Sequence, residues 1–121
     1  MRTRSLAVVA VLSATLLLSG CLPGPPSAEP SIRGTITSLT PGDGNLGAIM
    51  VEGTAGAGTS YDKASVNVTG TTKVLLRGAD GYGRLTYAEL KVGDAVEVWF
   101  TGAVAESYPV QATGGTIVVV P

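Results

Sequence analysis

The sequence predicts an all-β domain: a small five-stranded OB-like barrel, of the partly open Greek-key kind, with one short helical turn between its third and fourth strands. Three observations carry that prediction. From Ser31 onward apolar and polar residues tend to alternate in short runs, the period of half-buried strands. Clusters of Gly, Pro, Asn and Asp punctuate those runs. One stretch alone, Thr86-Tyr87-Ala88-Glu89-Leu90, reads as helical.

The first strand covers Ile32 to Leu39, with Ile32, Gly34 and Ile36 on one face and Arg33, Thr35 and Thr37 on the other. It ends at Thr40-Pro41-Gly42-Asp43-Gly44-Asn45, residues that preset φ or tolerate positive φ. A second strand runs from Ala48 to Glu52 with Ile49 and Val51 inward, and Gly53 to Ser60 forms a loop without bulk to pack. The third spans Tyr61 to Thr69, where Ala64, Val66 and Val68 alternate with Ser65, Asn67 and Thr69. Thr72 to Leu76 either continues it or pairs as a short extra strand, ahead of a Gly-rich loop over 78–83. Thr86 as N-cap with Glu89 three residues on makes a capping box, enough for one or two turns.

Val92-Gly93-Asp94 turns the chain into the fourth strand, Ala95 to Gly102. Val96, Val98 and Phe100 share one of its faces, and Glu97, Trp99 and Thr101 the other. The last strand, Gln111 to Val120, ends in Ile117-Val118-Val119-Val120 and is expected to close the sheet against the first. Gly34 and Gly102 suit the bends of strongly coiled barrel strands.

The first 30 residues have a different character. A basic start with Arg2 and Arg4, an apolar run from Leu6 to Leu18 and a small-residue exit at Ser19-Gly20 make an export signal. The run falls short of the ~20 residues a helix needs to cross a bilayer. Leu18-Ser19-Gly20-Cys21 resembles the bacterial lipoprotein cleavage box, with cleavage between Gly20 and Cys21. By that resemblance the Cys21 thiol takes a diacylglyceryl group and its freed amine can be acylated as well, and two or more chains anchor stably where one is marginal. The competing reading is an ordinary signal peptide with an incidental cysteine; against it, Cys21 is the single cysteine and sits at the one position the box requires.

Between Leu22 and Pro30 stand four prolines, which lack donors and favour extended backbone, so this stretch is expected to hold the domain off the bilayer as a semi-rigid spacer. Leu22 stands where some envelope systems read an inner-membrane retention Asp, which leans toward the outer membrane if the host has two. The expected organisation is a signal peptide over 1–20, a lipidated Cys21 with its tether over 21–30, and the barrel over 31–121. The expected address is the cell envelope, with the domain outside the cytoplasmic membrane.

Composition narrows the function. Removing residues 1–20 leaves six basic residues against nine acidic ones, a formal charge of -3 in place of -1. No basic patch for nucleic acid is apparent. Histidine is absent, which removes the commonest general base and metal ligand together. With one cysteine there is no intramolecular disulfide and no thiolate cluster. Lys63, Lys73 or Lys91 could activate a serine, but no spacing recommends it. An enzyme is not expected, nor a cofactor or a metal.

The segments Gly34-Thr35-Ile36, Ile49-Met50-Val51-Glu52-Gly53, Leu90 through Gly102 and Glu106-Ser107-Tyr108-Pro109-Val110-Gln111-Ala112 resemble a family of small bacterial lipoproteins with an OB-like domain of unknown function. The resemblance covers nearly all of 31–120, and Trp99 to Ala112 is its more specific part. It implies fold and address and transfers no catalytic residue.

The candidate binding face comprises Trp99, Tyr108, Glu106 and Tyr61. Alternation puts Trp99 on the outside of the barrel, either as a stacking platform or covered by the helical turn or the Tyr108 loop. Glu106-Ser107-Tyr108-Pro109 lies in the loop that commonly borders the ligand face of OB barrels. The function these residues support is an anchored, monomeric, non-catalytic module that binds an envelope protein, a peptide or a glycan. The alternatives are a sensor of a small ligand or cation, using Asp43, Asn45 and Asp80, and a structural envelope protein. One acid per loop is far short of a calcium cage.

Overall fold

A computed structural model describes residues 23–44, 46–53 and 59–121. The order of elements is β1 (Ile32–Pro41), β2 (Gly47–Glu52), β3 (Lys63–Val68), β4 (Lys73–Arg77), β5 (Tyr82–Arg84), a single 3-10 turn (Tyr87–Glu89), β6 (Ala95–Ala105) and β7 (Val110–Val120). The expected signal peptide over 1–20, its expected cleavage site at Gly20 and Cys21, and Asn45 lie outside the described residues.

Five of these strands close into a barrel. The β1–β2, β2–β3, β6–β7 and β1–β6 ladders are antiparallel, and β3 meets β7 in parallel to complete the ring. A three-strand meander followed by a 3-10 turn and a final hairpin is the OB-like arrangement. One expectation needs correcting: β7 does not close against β1. β1 is occupied on both sides by β2 and β6, so β7 closes on β3 instead.

β1 serves two neighbours by changing partner at its middle. Ile32 to Thr35 pairs with β6, and Thr35 to Pro41 pairs with β2. Gly34 sits at the changeover, where a Cβ would run into the Glu52 carbonyl, and a Cβ on the facing Gly53 would run into the carbonyl of Arg33. The backbones approach so closely there that only glycine fits. Gly102 has φ +74° and stands where the β6–β7 register shifts between Thr101 and Ala105. Both bends fall where the sequence places them.

The interior is made of small and β-branched chains, as a narrow barrel requires. Ile32, Ile36, Val51, Ala64, Val66, Val98 and Ile117 are fully buried. The 3-10 turn plugs one end of the barrel with Tyr87 and Leu90, and the Tyr87 hydroxyl donates to the Ala48 carbonyl at 3.0 Å. Glu89 closes the turn by accepting from the Thr86 N–H at 2.8 Å.

β7 is buried on both faces, which accounts for its unbroken run Ile117 to Val120. Ile117 and Val119 point into the barrel; Val118 joins Leu75 and Trp99 in a second, outer cluster. That outer cluster exists because β4 extends the edge of β7 beyond β3, in parallel, and folds back as a hairpin with β5. The Gly-rich segment read as loop thus contains a strand, Tyr82–Arg84. It was hidden because a three-residue edge strand leaves almost no periodicity.

Replacing Gly34 or Gly53 by Ala should cost about 1–3 kcal/mol, because the obstacle is backbone that cannot turn aside. Gly83→Ala, with open space around the position, should fall within about 0.5 kcal/mol of the parent. Urea denaturation of the three variants checks the contrast.

Candidate functional site

The rim of the barrel where β6 turns into β7 carries the most exposed large aromatic side chain among the described residues. Tyr108 is 70% exposed. Its loop is held by Ser107, whose hydroxyl donates to the Pro109 carbonyl at 2.9 Å, and the Tyr108–Pro109 peptide is cis. The Tyr108 hydroxyl donates to Asp62 Oδ2 at 3.3 Å. Asp62 is fixed from the other side, its carbonyl accepting from the Gly53 N–H at 2.8 Å.

Beside Asp62, the half-buried Tyr61 ring lies 5.5 Å from that of Phe100, tilted by 35°, so its role is chiefly to seal this end of the core. Glu106 is exposed on the same loop as Tyr108. Glu52 reaches Lys63 at 4.0 Å. The Tyr108 hydroxyl is pushed above its usual range by desolvation and by the carboxylates of Asp62 and Glu52. The rim therefore offers an aromatic face bordered by hydrogen-bond acceptors.

Trp99 lies elsewhere. It is 8% exposed, packed with Leu75 and Val118 in the outer cluster, so it offers no free stacking platform. Its cover is neither the helical turn nor the Tyr108 loop. The lid consists of Tyr82 from β5 and the segment ahead of β1, whose Ala28 carbonyl accepts from Trp99 Nε1 at 2.8 Å. The predicted face is thus divided: Tyr61 and Tyr108 meet through Asp62, while Trp99 belongs to a separate wall.

The described part of the Pro-rich segment does not stand off the barrel. Gly24 lies so close to Tyr82 that a Cβ would be 2.7 Å from its ring, and Pro30 is buried. Glu29 meets Arg33 at 3.2 Å. Arg33 in turn donates to Glu97 at 3.1 Å, and Arg77 to the other oxygen of Glu97 at 2.8 Å. This chain of charges links the segment over 24–30, a strap across the outer cluster, to β1, β6 and β4. Burial raises the Glu97 carboxyl, but hydrogen bonds from Arg33 and Arg77 outweigh it and hold the group below its ordinary value. The Glu29/Arg33 spacing and the outward Glu97 were readable in the sequence, but nothing there said that they meet.

A cleft of 630 Å³ opens along the seam where β1 changes partner, lined by Arg33, Thr35, Glu52 and Glu97 among others. Arg33 and Glu97 already satisfy each other across it. Among the described residues no three His, Cys, Asp or Glu side chains gather in a way that could hold a metal ion, and Asp43 and Asp80 lie in separate turns. No helix among them is long and apolar enough to cross a membrane.

Residues 83–121 match a family described as a protein of unknown function, DUF3221. The matched stretch runs from β5 through the 3-10 turn to the end of β7 and includes Trp99, Glu97 and Tyr108. No curated protein and no solved structure matches the chain.

Trp99 is the single tryptophan, so its emission should be blue-shifted and shielded from acrylamide. Deleting residues 23–29 should shift it to the red and raise the quenching constant. The depressed Glu97 carboxyl contributes stability that is complete above its ordinary value of 4.5 and is lost as pH falls through the lower folded value. In Glu97→Gln the urea midpoint should therefore depend less on pH between about pH 5 and 2, as parallel titrations would show.

Proposed function

We infer that this chain is a lipid-anchored protein of the cell envelope whose barrel is a non-catalytic interaction module. The exposed rim around Tyr108 is its contact surface. The observation that carries the reading is Tyr108 itself: a large aromatic side chain, 70% exposed and steadied by Asp62 with no part in the core. Aromatic anchors of this kind, bordered by polar groups, are what binding hot spots are made of. Around it Asp62, Glu106 and Glu52 present acceptors, which suits a partner rich in donors, such as a glycan or a peptide with basic or amide groups. The anchoring half of the reading rests on the Leu18-to-Cys21 box and the apolar leader.

Both halves can be tested in one strain. Intact mass spectrometry of protein from membranes should find diacylglycerol on Cys21, and Cys21→Ser should move the protein to the soluble fraction. A photocrosslinking residue at position 106, exposed on the same loop as Tyr108, should capture a defined envelope component that the same residue at Thr37, exposed on β1, does not. Tyr108→Ala should weaken that capture at least about tenfold while the melting curve stays unchanged. Equal labelling from both positions would remove the rim as the contact surface.

A further inference from the structure

The strap has a direction that bears on how the barrel sits on its membrane. From Ala28, bonded to Trp99 on β6, it reaches Gly24, packed on Tyr82 of β5. The strand order between those points is β6-β7-β4-β5, three spacings of about 4.8 Å, or roughly 14 Å. Four residues of chain can span up to about the same distance. The strap therefore runs from the Trp99 side chain of β6 to the Tyr82 side chain of β5, and β5 is the free edge of the sheet order.

Cys21 precedes Gly24 by three residues, a length of chain that spans at most about 11 Å. A headgroup layer is about 5–8 Å deep, half the difference between the full bilayer and its hydrocarbon core. A barrel strapped down this near its lipid has no room to hang free.

Charge points the same way. Between residues 73 and 84 stand Lys73, Arg77 and Arg84 against Asp80 alone, while the rest of the described chain carries three basic and eight acidic residues. Lys73, Leu75 and Arg77 alternate onto one face of β4, and the register sets Arg84 beside Leu75 and Tyr82 beside Arg77. Leu75 and Tyr82 belong to the outer cluster under the strap, so the basic side chains flank the line along which the chain departs. Arg77 is engaged with Glu97; Lys73 and Arg84 are exposed.

We propose that the β4–β5 hairpin is the membrane-facing surface of the domain, its basic side chains lying against the anionic headgroups of the bilayer that holds Cys21. This rests on the anchoring reading. An anionic leaflet attracts basic groups close to its surface, and the short leash supplies the proximity. The hairpin docks the barrel in one orientation, with the β5 edge down and the β1–β2 arm away.

The test uses the full acylated protein purified from membranes, in vesicles of phosphatidylcholine and phosphatidylglycerol. Acylated Cys21 has no free thiol, so a cysteine introduced at Gly83 on the β5 edge, where a Cβ meets nothing within 4 Å, can be labelled alone. A second variant carries Ser38→Cys on β1. A fluorophore at 83 should be quenched by headgroup-bound nitroxide roughly twofold or more over one at 38, and Lys73→Glu with Arg84→Glu should bring the ratio toward one. Equal quenching at both positions, with Cys21 shown by mass spectrometry to be acylated, would overturn the orientation and leave the anchor standing. A ratio insensitive to charge reversal would overturn the headgroup contact. Absence of the lipid would overturn the anchoring reading and this proposal with it.

Discussion

A five-stranded barrel closes only if its first strand is hydrogen-bonded on both edges, and ten residues of β1 achieve this by dividing the work along their length. The lower half pairs with β6 and the upper half with β2. The switch requires a sharp coil at Gly34, which requires in turn that Gly53 on the facing segment leave room for it. The position of every other strand follows: β2 carries β3, β6 carries β7, and the two arms meet in the parallel β3–β7 ladder. The rim around Tyr108 depends on the same closure, since Asp62 just before β3 and Tyr108 just before β7 are brought together there.

Outside the barrel a second level of organisation depends on Trp99. An indole facing outward from β6 would expose a large apolar area, and the hairpin β4–β5 together with the strap removes that area from water. Burying such a ring is worth several kcal/mol, more than its single hydrogen bond. The ion chain Glu29–Arg33–Glu97–Arg77 contributes chiefly alignment. Its outer pairs are partly exposed and screened, whereas Glu97, only 16% exposed, would be costly to leave alone.

Much of the barrel was legible in the sequence because its strands alternate. Ile32/Ile36, Ile49/Val51, Ala64/Val66/Val68 and Val96/Val98 all face inward as their period requires, and the capping box at Thr86 marks the 3-10 turn at Tyr87–Glu89. What stayed hidden was whatever depends on non-local pairing. Alternation places a residue on a face but does not say which strand comes to cover it, so the sequence showed Trp99 pointing outward and could not show the strap above it. Composition did not show where the Pro-rich segment packs: residues without donors cannot join a ladder, yet they can lie across one. For the candidate site, the β6–β7 loop with Tyr108 and Glu106 was legible from turn residues, whereas its link to Asp62 joins positions 46 residues apart.

The place of β7 in the pairing scheme shapes how this domain comes into being. It touches β3, β4 and β6, and it follows all three along the chain. Until it arrives, the β1–β2–β3 meander and the β4–β5 hairpin have no common partner, and the barrel's interior faces stay wet. Closure is then a single late event governed by contacts between distant parts of the chain, the kind that form slowly. A polypeptide built this way stays open for as long as β7 is held apart from the strands that precede it.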